Sequence, residues 1–289
     1  IAMTFDEIKD AHPAKPYLDH GFVALTGLFG NDVSIEEFAR MSYGDGTRSI
    51  NDTRNLLRYL MRHGHTSPFE AVIAKFHVKI PIQVARQLMR HRTFSFNEMS
   101  GRYSVMSTGS YIPPKSRMNP QSTTNKQGSE EVELPNSFVL QSRFVDTAAY
   151  TEANYYKLLN DDVSREVARG ILTLNTYTEI AFVADIKNLF HFLRLRLDSH
   201  AQLEIRLLAE AIYALLEESG KLQITLEAFN DYALHGQSLS RIESEILKAV
   251  LHSNPDTVQA LCEAVEADKS LSSREKTEFY AKLAVESKS

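Results

Sequence analysis

Cysteine is almost absent from this chain of 289 residues, since Cys262 is the sole one. A disulfide within the chain is therefore impossible, and a cysteine-based metal cluster is excluded. Any chemistry that needs a thiolate would depend on Cys262 alone. With Val258, Leu261 and Val265 it follows the spacing i, i+3, i+4, i+7, which predicts an apolar helix face and an inert packed thiol.

Long apolar runs are also missing. No segment approaches the roughly 18 residues that cross a bilayer, and no basic stretch followed by an apolar core begins the chain. We therefore expect a cytoplasmic protein without a membrane partner.

An excess of positive charge is lacking too, because the chain has 32 Lys and Arg and 37 Asp and Glu, which gives a net charge of -5. This balance argues against a nucleic-acid partner, so any anion site must be local.

The order of apolar residues predicts an α+β fold. Apolar side chains alternate along 72–80, which is typical of a strand with one buried face, and 176–184 has a second strand pattern. Ser34 with Glu37 has capping-box spacing, which predicts a helix start, and Pro81 can open another helix. Longer helices are predicted over 53–62, 136–160, 162–172, 186–197 and 201–219. Helices and strands do not alternate regularly, which favours α+β over repeated βαβ units.

The sequence predicts a main domain, 1–237, and a C-terminal helical extension, 238–289, of unknown role. Asn254-Pro255 breaks the charged helical pattern of the extension. Residues 114–135 are rich in Pro, Ser, Asn, Gln and charge, which predicts a mobile insertion that is either an active-site lid or without function. Gly44-Asp45-Gly46 lacks the third glycine of a dinucleotide fingerprint and is predicted to form a turn.

The most polar stretch of the chain is RHRTFSFNEMSGRYS, at 90–104. Its three arginines and one histidine repel one another unless anions or carboxylates lie between them, and guanidinium groups match phosphate geometry. The charge alone fits a solvated surface and a phosphate site equally well. Ser95, Asn97, Ser100 and Gly101 lie among the charges and let a ligand approach the backbone closely, which favours a phosphorylated ligand.

This stretch resembles the signature of flavin-dependent thymidylate synthases, which is Arg-His-Arg, seven residues and then Ser. Residues 90–92 and Ser100 fit it without a gap. The segments 62–70 and 196–206, the latter with Ser199-His200-Ala201-Gln202, are similar to the same family. The resemblance covers about 38–232 and implies the family fold, in which mixed helices surround an antiparallel sheet. It leaves the C-terminal extension without an inherited function.

The resemblance implies a site for dUMP. Its residues would be Gln87, Arg90, Glu98, Met99, Ser100, Gly101, Arg102, Arg169 and Arg196. Arg196 is the expected principal catalytic residue, because a cation against uracil favours negative charge at N3 and O4. Ser100 is the second candidate, but an alcohol nucleophile needs a positioned base and no Ser-His-Asp arrangement is visible. We therefore expect Ser100 to hold phosphate or sugar.

The resemblance also implies FAD as the cofactor. Its contacts would be Ser42, His65, Ser67, Glu70, Arg90, His91, Arg92, Asn97, Glu98, Asp185, Lys187, His191 and Leu195. Asp185 and Lys187 stand where Asn and Arg are frequent in the family, and a lysine supplies charge without a bidentate fork. The family further implies NADPH as the reductant, methylenetetrahydrofolate as the carbon donor and a homotetramer with active sites at subunit junctions.

The expected reaction is the reductive methylation of dUMP to dTMP without a cysteine nucleophile, since Cys262 lies outside the similar region. Two alternatives stay open. One is a related enzyme that hydroxymethylates a pyrimidine nucleotide, and the other is a non-catalytic flavin- or nucleotide-binding protein that serves assembly or regulation.

Some histidines have simpler explanations. His63 and His65 have a spacing that metal sites use, but only Glu70 offers a nearby third ligand, so no metal site is expected. His191 lies among apolar residues and would by default be buried; the resemblance alone makes it a flavin neighbour. The other pair, His200 with Glu204, is expected to be structural, because helical pairs four residues apart usually are.

Overall fold

The predicted alternation of apolar residues produces the centre of an antiparallel sheet. The computed structural model describes residues 3–42, 52–106, 109–123 and 127–285. Within them the sheet has five strands in the order β1-β2-β3-β5-β4. The strands are β1 (Ala14–Tyr17), β2 (Gly21–Phe29), β3 (Ile73–Pro81), β4 (Ser95–Glu98) and β5 (Tyr177–Asp185). The α+β class and the antiparallel sheet are confirmed, whereas the expected turn at 44–46 lies outside the described residues.

The pairing of β3 with β5 fixes the register of the central strands. Ile73 is opposite Asp185 at one end, and Pro81 is opposite Tyr177 at the other. Between them the ring of Phe76 stacks on that of Phe182, with centroids 5.2 Å apart. Both rings are buried, as an alternating strand with one apolar face requires.

The α-helices that precede residue 238 surround this sheet. They are α1 (Phe5–Ala11), α2 (Asp32–Arg40), α3 (Thr53–Arg62), α4 (Ile82–Leu88), α5 (Ser137–Asn160), α6 (Arg165–Ala168), α7 (Ile186–Arg196), α8 (Leu203–Glu218) and α9 (Gln223–Phe229). The ends of α3, α5, α7 and α8 confirm four predicted helices to within two residues. The single helix predicted over 162–172 is wrong, because α6 is short and a 3-10 turn, Arg169–Ile171, follows it.

The predicted start of α2 is also wrong. Asn31, not Ser34, is the cap: its side chain accepts a hydrogen bond from the Ser34 N–H, 3.1 Å, and the Ser34 Oγ accepts one from the Asn31 N–H, 3.2 Å. Asn31 is as good an acceptor as serine and extends the helix by one turn. Pro81 ends β3 and lies at the N-cap of α4, so the expected helix start there is confirmed.

Three helices follow in the extension: α10 (Arg241–His252), α11 (Pro255–Ala267) and α12 (Ser273–Leu283). They enclose a small apolar cluster in which Cys262 is 5% exposed, so its predicted buried position is confirmed. The cluster consists of Leu251, Cys262, Val265, Tyr280, Leu283 and Val285. None of the helices that the structure describes is long and apolar enough to cross a bilayer.

Asp32, the first residue of α2, stabilises the start of α9. That helix has no side-chain cap of its own, and the Asp32 carboxylate accepts hydrogen bonds from the Ile224 and Thr225 N–H groups, each 3.0 Å. We expect Asp32→Ala to lower the free energy of unfolding by about 1–2 kcal/mol, because two helix N–H groups lose their acceptor. Urea denaturation measures the loss. Asp32→Asn keeps one acceptor oxygen and should lose less; equal stability of all three proteins contradicts the assignment.

Candidate active site

Two helices leave the central strands at opposite ends and bring a histidine and an arginine together. β3 runs directly into α4 and β5 into α7, and the antiparallel register places these junctions at opposite ends of the strand pair. Arg196 is the last residue of α7, and His91 follows α4. The Nε–H of Arg196 donates a hydrogen bond to Nε2 of His91, 3.2 Å. Residues 105 apart in sequence therefore form one polar pair.

His91 is a neutral acceptor in this pair. Its side chain is 8% exposed and its ring lies edge-on to Phe192, 4.9 Å between centroids. Burial, together with the charge of Arg196 and the nearby His191, lowers the pKa of His91 to about 4. Because Nε2 accepts from Arg196, the ring proton lies on Nδ1 at neutral pH. His91 thus orients the Arg196 guanidinium without neutralising it.

The positive charge around Arg196 has no acidic partner in the part of the chain that the structure describes. Burial, and then the charge of Arg90, lower the pKa of Arg196 from its ordinary value. Among the residues that the structure describes, no carboxylate lies within ion-pair distance of Arg90, Arg92 or Arg196. The carbonyl ends of α4 and α7 offset part of this charge. The remainder suits an anionic or electron-rich ligand.

A second group of expected site residues forms around the turn at Ser100. The Ser100 Oγ accepts a hydrogen bond from the Arg102 N–H, 3.3 Å. A Cβ atom at Gly101 would lie 3.2 Å from Cδ of Arg169, so glycine allows Arg169 to pack directly over this turn. The Arg102 guanidinium lies 3.4 Å from the Glu166 carboxylate, and both are exposed. The fold thus brings Ser100, Gly101, Arg102 and Arg169 together.

The edge strand β4 separates this turn from the Arg-His-Arg segment. Its four residues span about 13 Å at roughly 3.3 Å per residue, with Arg92 before the strand and Ser100 after it. Glu98 accepts a hydrogen bond from the Thr178 hydroxyl, 2.7 Å. Beside it lie the exposed Asn97 and the half-buried Met99. Within one chain the signature therefore forms two clusters instead of one.

A third group lies beside α7 and the 3-10 turn Ser67–Ala71. A cavity of about 480 Å³ opens there, with an apolar floor and a cationic rim. It is lined by Met61, Thr66, Phe69, Thr93, Lys187, Asn188, Phe190, His191, Arg194, Phe229 and Ala233. Lys187 forms an ion pair with Glu70.

His191 is exposed, so the default expectation of a buried histidine is wrong. Phe192 and Leu193 point into the core instead.

The remaining expected flavin residues lie outside the lining of this cavity. Asp185 caps α7, and its two carboxylate oxygens accept hydrogen bonds from the Asn188 N–H, 2.9 Å, and side-chain amide, 2.6 Å. Leu195 is 45% exposed on the same helix. Four expected flavin residues are exposed: Ser42, His65, Ser67 and Arg92. Among the described residues, no hydrogen bond joins them to the groups above.

A chain of amides connects Gln87 with a buried carboxylate. Glu204 is 3% exposed and forms an ion pair with Arg117, 2.9 Å. Burial would raise the pKa of Glu204, but hydrogen bonds from Arg117 and Gln202 outweigh it and lower the pKa. Gln202 donates to Glu204, 2.7 Å, and accepts from the Gln87 amide, 2.7 Å. A carboxylate only accepts, so it fixes the orientation of both amides. The Gln87 carbonyl oxygen accepts no hydrogen bond from the described residues and can therefore face a ligand.

The amide contacts around Glu204 correct one expectation from the sequence and add one residue to the candidate site. His200 pairs with Asp198, 2.9 Å, and precedes α8, so it does not form a helical pair with Glu204. The expected structural role of Glu204 is consistent with its ion pair. Gln202 was not among the expected site residues, although it stands inside the quoted segment 199–202 and two residues before Glu204.

The chain is similar to known proteins over most of its length. Residues 25–219, well over half of the chain, match the family model described as "Thymidylate synthase complementing protein". The chain belongs to this family. The matched region contains the Arg196–His91 pair, the Ser100 turn and the amide chain, and it ends before the extension.

Individual members of the family extend over most of the chain. A flavin-dependent thymidylate synthase of Thermus thermophilus is 47% identical over 236 residues, which is 82% of this chain and 85% of that protein. One from Rickettsia bellii is 41% identical over 248 residues, 81% of this chain and 84% of that protein. Among solved structures, the UMP/dUMP methylase PolB of Streptomyces cacaoi bound with 5-Br UMP is similar, with a TM-score of 0.66 and 31% identity over 74% of this chain and 96% of that one.

The buried neutral His91 makes stability depend on pH. Its pKa is lower in the folded chain, about 4, than its ordinary 6.5, so the unfolded chain binds the additional proton between these values. Stability contributed by neutral His91 is complete above pH 6.5 and is lost as pH falls towards 4. We expect the stability advantage of the apoprotein over His91→Gln, which keeps an acceptor but does not titrate, to shrink over that range in urea denaturation. A pH-independent difference contradicts the prediction.

Proposed function

We propose that this chain is a flavin-dependent thymidylate synthase, which converts dUMP to dTMP with methylenetetrahydrofolate as the carbon donor and NADPH-reduced FAD as the hydride source. The observation that carries the proposal is the Arg196 guanidinium, held by neutral His91 and without a carboxylate partner among the described residues. Such a cation stabilises negative charge on a uracil ring. Family membership and the relatives named above support the same reaction.

The residues present fit a flavin nucleotide. The cavity beside α7 combines an apolar floor of Phe69, Phe190 and Phe229 with Lys187 and Arg194 at its rim. An isoalloxazine ring needs the first kind of surface and a diphosphate the second. When bound, FAD would supply the redox chemistry that this chain's side chains lack. We assign its contacts to this cavity, the segment 65–70, and the Arg-His-Arg residues.

Different residues of the chain then bind different parts of dUMP. Arg196 stabilises charge at N3 and O4 of uracil while His91 keeps its guanidinium in one orientation. Arg102 and Arg169, at the Ser100 turn, hold the phosphate, and Gln87 offers its carbonyl oxygen to the sugar or base. Ser100 hydrogen-bonds to backbone, which supports a binding role and not a nucleophilic one.

The cysteine route is disfavoured by position. Cys262 is 5% exposed in the apolar cluster of the extension, outside the matched residues 25–219. The separation of Arg92 from Ser100 by β4 supports a site completed by neighbouring subunits. We therefore propose a cytoplasmic homotetramer in which flavin and nucleotide residues of different subunits meet.

The test is an anaerobic visible spectrum of the full-length protein, followed by product analysis. We expect a yellow protein that bleaches with NADPH and forms dTMP from dUMP and labelled folate. A protein that takes up no FAD contradicts the proposal. A hydroxymethylated product would establish the alternative enzyme, and flavin binding without any product would establish a non-catalytic relative. UMP offered beside dUMP tests whether this chain shares the substrate range named for the Streptomyces methylase.

Arg196→Ala tests the assigned ring activator. We expect FAD absorbance to be retained and dTMP formation to fall by about 10²–10³-fold, because a preorganised charge is lost from the reacting ring. Steady-state turnover and the flavin spectrum measure the two effects. Arg241→Ala, which removes an exposed arginine paired within α10, is the charge-matched control and should keep full activity. Turnover retained by Arg196→Ala removes this residue from its role.

Gln202→Leu tests the amide chain. Without Gln202 the Gln87 amide can rotate, so we expect the KM for dUMP to rise by roughly fivefold, the loss of about 1 kcal/mol of hydrogen bonding, while FAD affinity stays constant. Gln83→Leu is the control, because Gln83 lies on the same helix α4 but bonds Asn175, 2.9 Å. An unchanged KM in Gln202→Leu would exclude this orienting role.

A further inference from the structure

The C-terminal extension contacts one face of α3. Arg54, Arg58 and Arg62 are four residues apart and therefore lie on the same side of that helix. Arg54 donates to the Ser270 carbonyl, 3.1 Å, in the segment that leads into α12. These three arginines define what we call the arginine face of α3.

Two carboxylates of α12 bind the arginine face. Arg58 is 1% exposed, and its Nε–H donates to Glu275, 2.8 Å. Arg62 donates from Nε–H to Glu278, 2.6 Å, and lies 3.4 Å from Glu275. The pKa values of Glu275 and Glu278 are both lowered to about 2, because hydrogen bonds and positive charge outweigh burial. The extension is thus held by ion pairs that remain charged through the neutral range.

Glu278 also reaches the end of α3. Its Oε2 lies 3.0 Å from Nε2 of His63, the C-cap residue of that helix. Gly64, at φ 69°, then reverses the chain, and the His65 N–H bonds back to the Leu60 carbonyl, 2.9 Å. This is a Schellman ending, in which the conformation of residues 63–65 determines where the following side chains point.

Aromatic contacts connect α12 with His65 through Tyr59 and His63. The ring of Tyr59 lies 4.3 Å from that of His63 and 5.9 Å from that of His65. The guanidinium of Arg274, in α12, lies 4.2 Å above the Tyr59 ring on a cation–π contact, and it donates to Glu278, 3.0 Å. Two side chains of the extension therefore hold both residues against which His65 packs.

We propose that the extension positions the turn 63–65 for flavin binding, with Glu278 as the positioning residue, so that docking of α12 and affinity for FAD are thermodynamically linked. The proposal rests on the proposed function, because it takes His65 and the neighbouring segment 67–70 as flavin contacts. It assigns a role to a part of the chain that lies outside the matched residues 25–219.

The first experiment compares full-length variants. We expect Glu278→Ala to raise the dissociation constant of FAD by about tenfold, within the usual range of coupling between sites, while the KM for dUMP at saturating FAD changes less than about twofold. Glu278→Gln keeps the shape and one acceptor oxygen and should lose less. Flavin fluorescence measures the affinity.

Glu266→Gln is the matched control. Glu266 accepts hydrogen bonds from Tyr280, 2.8 Å, and Lys276, 3.3 Å, so it stabilises the extension internally without contacting α3. The Glu266→Gln protein should bind FAD with the same affinity as the unmodified chain. Unchanged affinity in Glu278→Ala, or an equal loss in Glu266→Gln, overturns the proposal.

The second experiment needs no variant. Linkage is reciprocal, so FAD must stabilise the docked extension as much as the extension favours FAD. We expect added FAD to slow amide hydrogen exchange in α12, residues 273–283, and to leave the exposed side of α10 unchanged. A chain that binds FAD with unaltered exchange in α12 refutes the linkage alone, whereas a chain that binds no FAD refutes the proposed function and this inference with it.

Discussion

The antiparallel pairing of β3 with β5 is the constraint on which the site depends. Each strand continues without a loop into a helix, so the register of the pair sets where α4 and α7 begin. Because the strands are antiparallel, the two helices start at opposite ends and their C-terminal ends approach each other. A slip of one residue would turn each buried side chain outward and separate Arg196 from His91. The stacked rings of Phe76 and Phe182 oppose such a slip.

The site follows from this geometry by electrostatics. The guanidinium of Arg196, beside Arg90 and without a carboxylate partner among the described residues, produces a local positive region in a chain whose net charge is -5. The neutral His91 does not cancel this charge, and the carbonyl ends of two helices offset only part of it. Other arginines are paired: the arginine face of α3 meets four carboxylates, and Arg117 meets Glu204. The charges of these paired arginines hold the fold together, whereas the charge of Arg196 stays available to a ligand.

The sequence could predict what depends on local patterns. The ends of α3 and the alternation in β3 are properties of short windows, and the Arg-His-Arg spacing identified the polar segment. The edge strand β4 was missed because four mostly polar residues have no strand pattern of their own. Gln202 and Gln87 lie 115 residues apart, and Arg58 and Glu275 lie 217 apart, so their contacts exist only after folding.

The Arg117–Glu204 ion pair has a consequence for how this protein can change during evolution. It ties the start of the segment 114–135 to the buried carboxylate that orients the amides, while Asn119, Gln121 and residues 127–131 line one wall of a cavity of about 690 Å³. Substitutions at wall positions away from Arg117, such as Glu131, would change the size and polarity of the cavity and leave the Arg117–Glu204 ion pair in place. Selection can therefore adjust what enters the cavity while the Gln202 amide in its lining keeps its orientation.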